Sequence, residues 1–542
     1  MTSNRQLAAV DIDAVIIGAG FSGLYMLHKL RDQMGLSARV YEAAAGVGGT
    51  WHWNRYPGAR SDSESYIYSF TFDEDLWQNW EWSERYPGQR EILSYLEHVA
   101  ERFGLYRDIT FSTRVTAAVF DEIPGTWTVT TDSGKTVTAR YVIAAAGVLS
   151  AANVPQLDGA ASFRGETYHT AQWPHEPVDF TGKRVGVIGT GASGVQAIPL
   201  IARDASELTV FQRTASYVVP ARNGPVPGDV REARKRDYSG IRKRIQHSRA
   251  GYEIYTSDKL ASESTDEEIA RTIQNRYDEG GFGLWFGTYD DIFVSDEANA
   301  KIREFLHDRI REKVNDPDTA ELLIPKGYPF GVKRTPLDSG YYEAFNLEHV
   351  HLVDVLPNPI TRILPTGIQL ADGTGYELDV IVYATGFDAM TGPMNRIDIR
   401  GRGGQRLRDK WNEGPRTYLG LMSHGYPNLF FITGPQSPSV LSNMPVSIEQ
   451  HVDFTGRIIG DLRDRSAATI EPTLAAEDSW VESNQEMADA TLWSAADTWY
   501  TGANIPGKPR VFMPNLTGVG PYRENCDHVA DNGYEGFTVI AS

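Results

Sequence analysis

Two short loops decide most of what this chain can fold into. Gly18-Ala-Gly-Phe-Ser-Gly23 and Gly189-Thr-Gly-Ala-Ser-Gly194 each follow an apolar run and each open a stretch with helical spacing. Residues 13 to 17 read as a buried strand, and Leu24, Leu27 and Leu30 then recur at helical intervals. Residues 184 to 188 precede the second loop in the same way, with a helix expected from about Ala192. A G-x-G-x-x-G loop between strand and helix is a dinucleotide signature. Its glycines (Gly18, Gly20 and Gly23; Gly189, Gly191 and Gly194) let backbone approach a pyrophosphate at a helix N-terminus.

The residue that ends the next strand separates the two sites. Counting 24 residues on from the first glycine reaches Glu42 in one unit and Arg213 in the other, each at the end of the second strand of its unit. A carboxylate there suits a free adenosine ribose, whereas a guanidinium suits a 2′-phosphate. The first site is therefore expected to hold FAD, and the second NADPH, with Thr214 beside Arg213. Two such units predict an α/β chain with two Rossmann-like dinucleotide-binding domains. Residues 1–150 and 385–542 make a discontinuous FAD domain, and 151–384 an NADP domain. Further strands are expected at 127–130, 141–144 and 379–383. From about 225 to 325, mixed charge with helical periodicity (DVREARKRDYSGIRKRIQ, EANAKIREFLHDRIREKV) predicts a helical insertion in the NADP domain.

Composition removes several other classes. A formal charge of −19 argues against nucleic acid or an anionic membrane as the main partner. The basic stretch from Arg231 to Arg249 reads as a solvated helix face. One cysteine, Cys526, permits no intramolecular disulfide, no CxxC redox pair and no cysteine-rich metal site, so no metal is expected. The first residues lack a signal peptide's apolar core, and no apolar run approaches the ~20 residues a bilayer span needs. A reduced, cytoplasmic protein is expected, with a monomer favoured.

Between the two loops lies Phe163-Arg-Gly165-Glu-Thr-Tyr-His169-Thr-Ala-Gln-Trp173-Pro174. Its F-x-G-x-x-x-H-x-x-x-W-P pattern resembles the fingerprint of type I Baeyer–Villiger monooxygenases. Four more segments carry the likeness, in order along almost the whole chain. Gly48-Gly49-Thr50-Trp51 through Tyr56-Pro-Gly58 to Asp62 is similar to the family's GGxW…YPGxxxD signature. Lys333-Arg334-Thr-Pro-Leu-Asp338 resembles the segment bearing its active-site arginine. Ala384-Thr-Gly-Phe-Asp388 resembles its ATGFD motif, and Trp499 to Lys508 resembles a mobile loop that closes over nicotinamide and substrate. Departures are small: His52 stands where tyrosine is usual, and Ala145-Ala-Gly147 replaces a more usual ATG.

The resemblance implies that NADPH reduces FAD, that dioxygen adds to give a flavin 4a-peroxide, and that this attacks a ketone. A tetrahedral adduct would collapse to an ester or lactone. Arg334 would keep the peroxide anionic, with Asp62 as its partner. Gly49, Thr50, Trp51 and Asp62 join the FAD side; Lys333 and Trp499 join the NADPH side. Phe163, Gly165, His169 and Trp173 belong to an interdomain linker, where a structural histidine is at least as good a reading as a general base. The loop from Gly434 to Met444 resembles that of phenylacetone and steroid monooxygenases, placing Leu441, Ser442 and Met444 at the substrate pocket. Residues 281–288 look more like cyclohexanone monooxygenases, which leaves cyclic, aryl-alkyl and polycyclic ketones all open. Two other readings stand: an N- or S-oxygenating flavin monooxygenase or N-hydroxylase, and a non-catalytic NADP(H)-sensing flavoprotein.

Overall fold

The computed structural model describes residues 10–541; the N-terminal stretch weighed as a signal peptide lies mostly outside that range. Strand β1 (Ile12–Ile17) runs into the first glycine loop, α1 (Phe21–His28) leaves it, and β2 (Ala38–Tyr41) returns parallel to β1. The helix ends in a wider π turn over Lys29–Gln33 rather than continuing as a plain α-helix. That turn keeps Leu30 fully buried as the chain swings towards β2. Strand β3 (Ile109–Thr110) extends this edge of the sheet. Strands β4 (Val115–Asp121), β5 (Thr126–Thr131) and β6 (Thr136–Ala144) form an antiparallel meander, and β6 closes it by pairing parallel with β1.

The chain then crosses to a second sheet. Its strands are β7 (Glu166–His169), β8 (Arg184–Ile188), β9 (Glu207–Gln212), β10 (Val350–Asp354) and β11 (Val380–Tyr383), in the order β10-β9-β8-β11-β7. Every neighbouring pair is parallel. All four residues of β11 are buried: Val380 and Val382 share a cluster with Val195 and Ile198 of the helix that follows β8, while Ile381 and Tyr383 share one with Ile363, Ile368 and Leu370 of a small three-stranded antiparallel sheet. Helix α2 (Ala192–Asp204) joins β8 to β9. Between residues 225 and 325 the described elements are all helical, including Gly228–Arg236, Tyr238–His247, Asp266–Glu279 and Asp296–Lys313. This is the helical insertion that periodicity predicts. The protein is an α/β chain with two Rossmann-like sheets.

After β11 the chain goes back to the first sheet, as β12 (Asp398–Arg400) beside β4 and β13 (Leu429–Phe431) beside β6. The outgoing and returning crossings lie side by side. Asn153 N–H donates to the Gly386 carbonyl at 2.9 Å, and Asp388 N–H donates to that of Ala151 at 2.8 Å. A large apolar cluster joins the insertion to segments before and after it in the chain; it contains Tyr86, Tyr252, Phe282, Trp285, Val440 and Tyr500. Among the described residues no helix is long and apolar enough to cross a membrane.

Candidate active site

The two glycine loops are built alike. Gly18 and Gly189 have positive φ (104° and 108°), where an added Cβ would come within 2.6 Å of the Ala145 carbonyl oxygen and 2.5 Å of the Ala384 one. Gly23 and Gly194 let each helix pack against its own loop. The middle glycines differ in kind. Gly191 has an ordinary φ of −77°, and a Cβ there would meet nothing within 4 Å. Neither backbone strain nor protein packing explains this glycine. Close approach of a ligand does, which is what a pyrophosphate at the start of α2 needs. Gly20 is likewise unstrained, and a Cβ there would face only Gly49, at 3.4 Å.

The strand ends contrast sharply. Glu42 is 5% exposed; its Oε2 accepts from Ala19 N–H at 2.6 Å and its Oε1 from Ala44 N–H at 2.7 Å. Each oxygen keeps a further lone-pair direction. Arg213 is exposed and makes no ion pair among the described residues, and Thr214 beside it is exposed too. Thr190 of the glycine loop donates from Oγ1 to the Thr214 carbonyl at 3.0 Å. Lys333 approaches from the far side of the insertion. Its Nζ lies 4.0 Å from the centre of the Tyr328 ring, whose hydroxyl donates to Ala215 O at 2.7 Å. Burial and the nearby Arg213 push the Lys333 amine down to about 8.

Asp62 and Arg334, 272 residues apart, form a forked pair: Nε donates to Oδ2 at 2.7 Å and Nη2 to Oδ1 at 2.6 Å. Nη1 donates to the Val440 carbonyl at 2.9 Å. The Arg334 and Asp62 side chains are 18% and 25% exposed, so the pair is enclosed but not sealed. Phe282 and Trp285 cover the guanidinium, with ring centres 5.0 and 5.8 Å from Cζ. Burial opposes the arginine's charge, but Asp62, with Tyr252 and Tyr500, more than offsets it and raises its pKa. Asp62 is delivered by the Tyr56–Asp62 turn, which docks on the second unit. Tyr56 Oη donates to Gln196 Oε1 of α2 at 2.8 Å, and Gly58 sits so close to Gln196 that a Cβ would lie 2.4 Å from its carbonyl oxygen.

Residues 12–230 match the flavin-binding monooxygenase-like family. The chain is 44% identical to acetone monooxygenase (methyl acetate-forming) of Gordonia sp. (strain TY-5), covering 98% of this chain and all of that one. The chain belongs to the Baeyer–Villiger monooxygenases. It is also 41% identical to phenazine N-monooxygenase PhzNO1 of Lysobacter antibioticus, over 97% of this chain and 96% of that one. Among solved structures, oxidized steroid monooxygenase bound to NADP superposes with a TM-score of 0.93 at 49% identity, covering 98% of this chain and 100% of that one.

The Baeyer–Villiger fingerprint lies on the crossing between the sheets. His169 is buried at the end of β7, and its Nδ1 accepts from Ala171 N–H at 3.0 Å. Its Nε2 faces the Asn153 carbonyl and Thr385 Oγ1, each at 3.2 Å. An imidazole that accepts at Nδ1 and donates at Nε2 is neutral, and burial lowers its pKa further. It thus pins the outgoing crossing to the returning one. A Cβ on Gly165 would lie 2.2 Å from the Asp379 carbonyl oxygen and 2.6 Å from the Phe163 ring. Trp173 shares an apolar cluster with Tyr56 and Ala59 of the other unit.

Around Arg334, Leu441, Met444 and Trp499 are partly buried and pack on the cluster that holds Phe282 and Trp285. Ser442 is buried, its hydroxyl engaged by Ser439 O and Ser447 Oγ at 2.8 and 2.6 Å. Trp51 is buried and donates from Nε1 to Tyr68 Oη at 3.2 Å, while Thr50 is exposed at the start of the same short helix. Reading the sequence does not find Gln196, Tyr252 or Tyr500. Gln196 sits two residues past the last loop glycine, one α-helical position among many, and the tyrosines are ordinary members of aromatic segments. Tyr252 and Tyr500 reach Arg334 only through tertiary packing.

Proposed function

We propose that this chain is an NADPH- and dioxygen-dependent monooxygenase that converts ketones to esters or lactones. Arg334 and Asp62 are its acting pair. The single observation that carries the reading is the enclosed, forked Arg334–Asp62 contact, covered by aromatic rings yet still partly exposed. Gly18, Gly20, Gly23, Glu42, Gly49, Thr50 and Trp51 would hold FAD, which when bound and reduced would supply the activated oxygen. Gly189, Gly191, Gly194, Arg213, Thr214 and Lys333 would hold NADPH, with Trp499 a further contact for it.

The environment of each side chain dictates its part. A guanidinium stays protonated at any working pH. Fixed in a water-poor site, it favours negative charge on a nearby oxygen far more than it would in water. Asp62 sets the plane of the guanidinium and keeps it from swinging to another carboxylate. Leu441 and Met444 offer an apolar wall to a ketone's carbon skeleton. Two groups remain outside the chemistry: His169, whose ring nitrogens both face protein partners, and Ser442, whose hydroxyl is internally engaged.

A panel of cyclic, aryl-alkyl and polycyclic ketones tests this, with NADPH loss and oxygenated product measured together. Coupled ester formation is expected from wild type. Arg334→Ala should still consume NADPH but lose ester by at least about a hundredfold, the scale for removing one oxyanion-stabilising donor. Ester at the wild-type yield from that variant would remove Arg334 from the reaction. A second reading, N-oxygenation, has the phenazine N-monooxygenase relative behind it. An aromatic N-heterocycle in the same panel decides it: N-oxide without ester from any ketone would replace the first reading.

A further inference from the structure

One more role rests on the proposed part of Arg334 in the reaction. A guanidinium has five N–H donors. Asp62 takes one from Nε and one from Nη2, and the Val440 carbonyl takes one from Nη1. One N–H is left on each terminal nitrogen. Two phenols, Tyr252 and Tyr500, stand against the guanidinium and the Asp62 carboxylate. The Tyr252 hydroxyl already shares a hydrogen bond with Ser63 Oγ at 2.8 Å.

The Tyr500 hydroxyl has no partner among the described residues, although the side chain is fully buried. Its ring is fixed between Trp493 and Phe512, with centres 5.5 and 6.5 Å away. Phenylalanine would fill that space as well, so packing does not account for a buried, unpaired hydroxyl that is costly to hold. Tyr500 lies in the loop that runs from Trp499 to Lys508. That loop is clamped at its far end: Lys508 Nζ donates to Asp388 Oδ1 at 2.6 Å and to Ala389 O at 2.7 Å, and Asn504 Nδ2 donates to Phe387 O at 2.8 Å. Those acceptors lie on the returning crossing between the sheets, hydrogen-bonded in turn to the outgoing one.

We propose that Tyr500 is a positioning residue for Arg334: its oxygen accepts a guanidinium N–H left over by Asp62 and Val440 when the 499–508 loop settles. The loop's docking and the arginine's orientation are thereby tied together. In this conformation the two groups are neighbours and the hydroxyl completes no hydrogen bond, which settling of the loop would supply. Burial pushes the Tyr500 phenol up, which keeps its proton in place.

Tyr500→Phe removes only the hydroxyl. In the FAD-loaded enzyme, flavin reduction by NADPH and Tm are expected to stay at wild-type values, with KM for the ketone little changed. Ester formed per NADPH should fall about tenfold, the scale of one hydrogen bond to a charged group, and hydrogen peroxide should make up the difference. A readout independent of turnover is tryptic cleavage after Arg510, two residues beyond the Lys508 side chain that is only 11% exposed while the loop is docked. With NADP+ bound, cleavage of the variant should be several-fold faster. Tyr500→Phe combined with Arg334→Lys should lower ester yield by less than the product of the single effects. Wild-type ester yield in Tyr500→Phe overturns the role, as does faster cleavage with unchanged ester, or additivity in the double variant. Each leaves Arg334 standing. Full ester yield from Arg334→Ala instead takes away the reading on which Tyr500 depends.

Discussion

The two strand ends beyond the glycine loops occupy equivalent places in equivalent folds, yet they are finished in opposite ways. Glu42 is shut in, and both its oxygens are held by backbone amides within 2.7 Å. Arg213 stands in the open with no carboxylate partner among the described residues, and Lys333, a cation close enough to feel it, has its charge made costly by burial and by Arg213 itself. A closed carboxylate, anchored by backbone amides and with a lone pair to spare on each oxygen, suits a group that stays. Two cations that repel each other, with Asp497 only partly easing the charge on Lys333 and no ion pair formed to either among the described residues, suit an anion that comes and goes, since its arrival relieves their repulsion. The fold supplies the glycine cradle twice, and on the proposed assignment one side chain with its degree of enclosure would decide which cofactor each cradle keeps.

The largest effect is expected where the closed end is broken. Glu42→Ala leaves two amide N–H groups without acceptors in a buried place, at about 1–3 kcal/mol each. Thermal unfolding should shift down by several degrees, and the purified protein should lose most of its flavin. A variant that keeps wild-type Tm and full flavin content would show that Glu42 is not the fastener its geometry suggests. Breaking the open end should cost less and cost it selectively. Arg213→Ala removes one exposed, charge-assisted contact, so the preference for NADPH over NADH should fall about tenfold to a hundredfold with stability unchanged. Equal losses for both nucleotides would erase the contrast between the two ends.

Much of this is legible in one dimension because the governing interactions are local. Strand, glycine turn and helix are adjacent in sequence, so β1, α1, β8 and α2 can be placed from spacing alone. The pairing of Asp62 with Arg334 needs the family motifs, because no periodicity connects residues 272 positions apart. The features that stay hidden depend on surfaces that meet only after folding. Gln196 reads as one more helical polar residue until the Tyr56 turn lands on it. Tyr500 reads as a core aromatic until its hydroxyl is seen to lack a partner beside Arg334. The π turn after α1 has no sequence signal of its own, since Leu30 would be buried in either geometry.

The smallest expected effect is also the finest probe of the open end. Lys333 titrates at about 8, within reach of ordinary assays, whereas Arg213 never loses its charge. Below pH 8 both cations face an incoming 2′-phosphate. As pH rises through 8 the free protein loses one of them, so NADPH affinity should weaken by about three- to tenfold between pH 7 and 9. NADH carries no 2′-phosphate, and its affinity should stay flat over that range. Binding NADPH near pH 8 should also draw a proton onto the protein, because the phosphate stabilises the charged amine; calorimetry in buffers of different ionisation enthalpy reads this directly. Lys333→Gln should flatten the NADPH profile and abolish the proton uptake. A slope that survives this substitution would have to come from another group, and Lys333 would then be a packing residue held by the Tyr328 ring rather than a second phosphate contact.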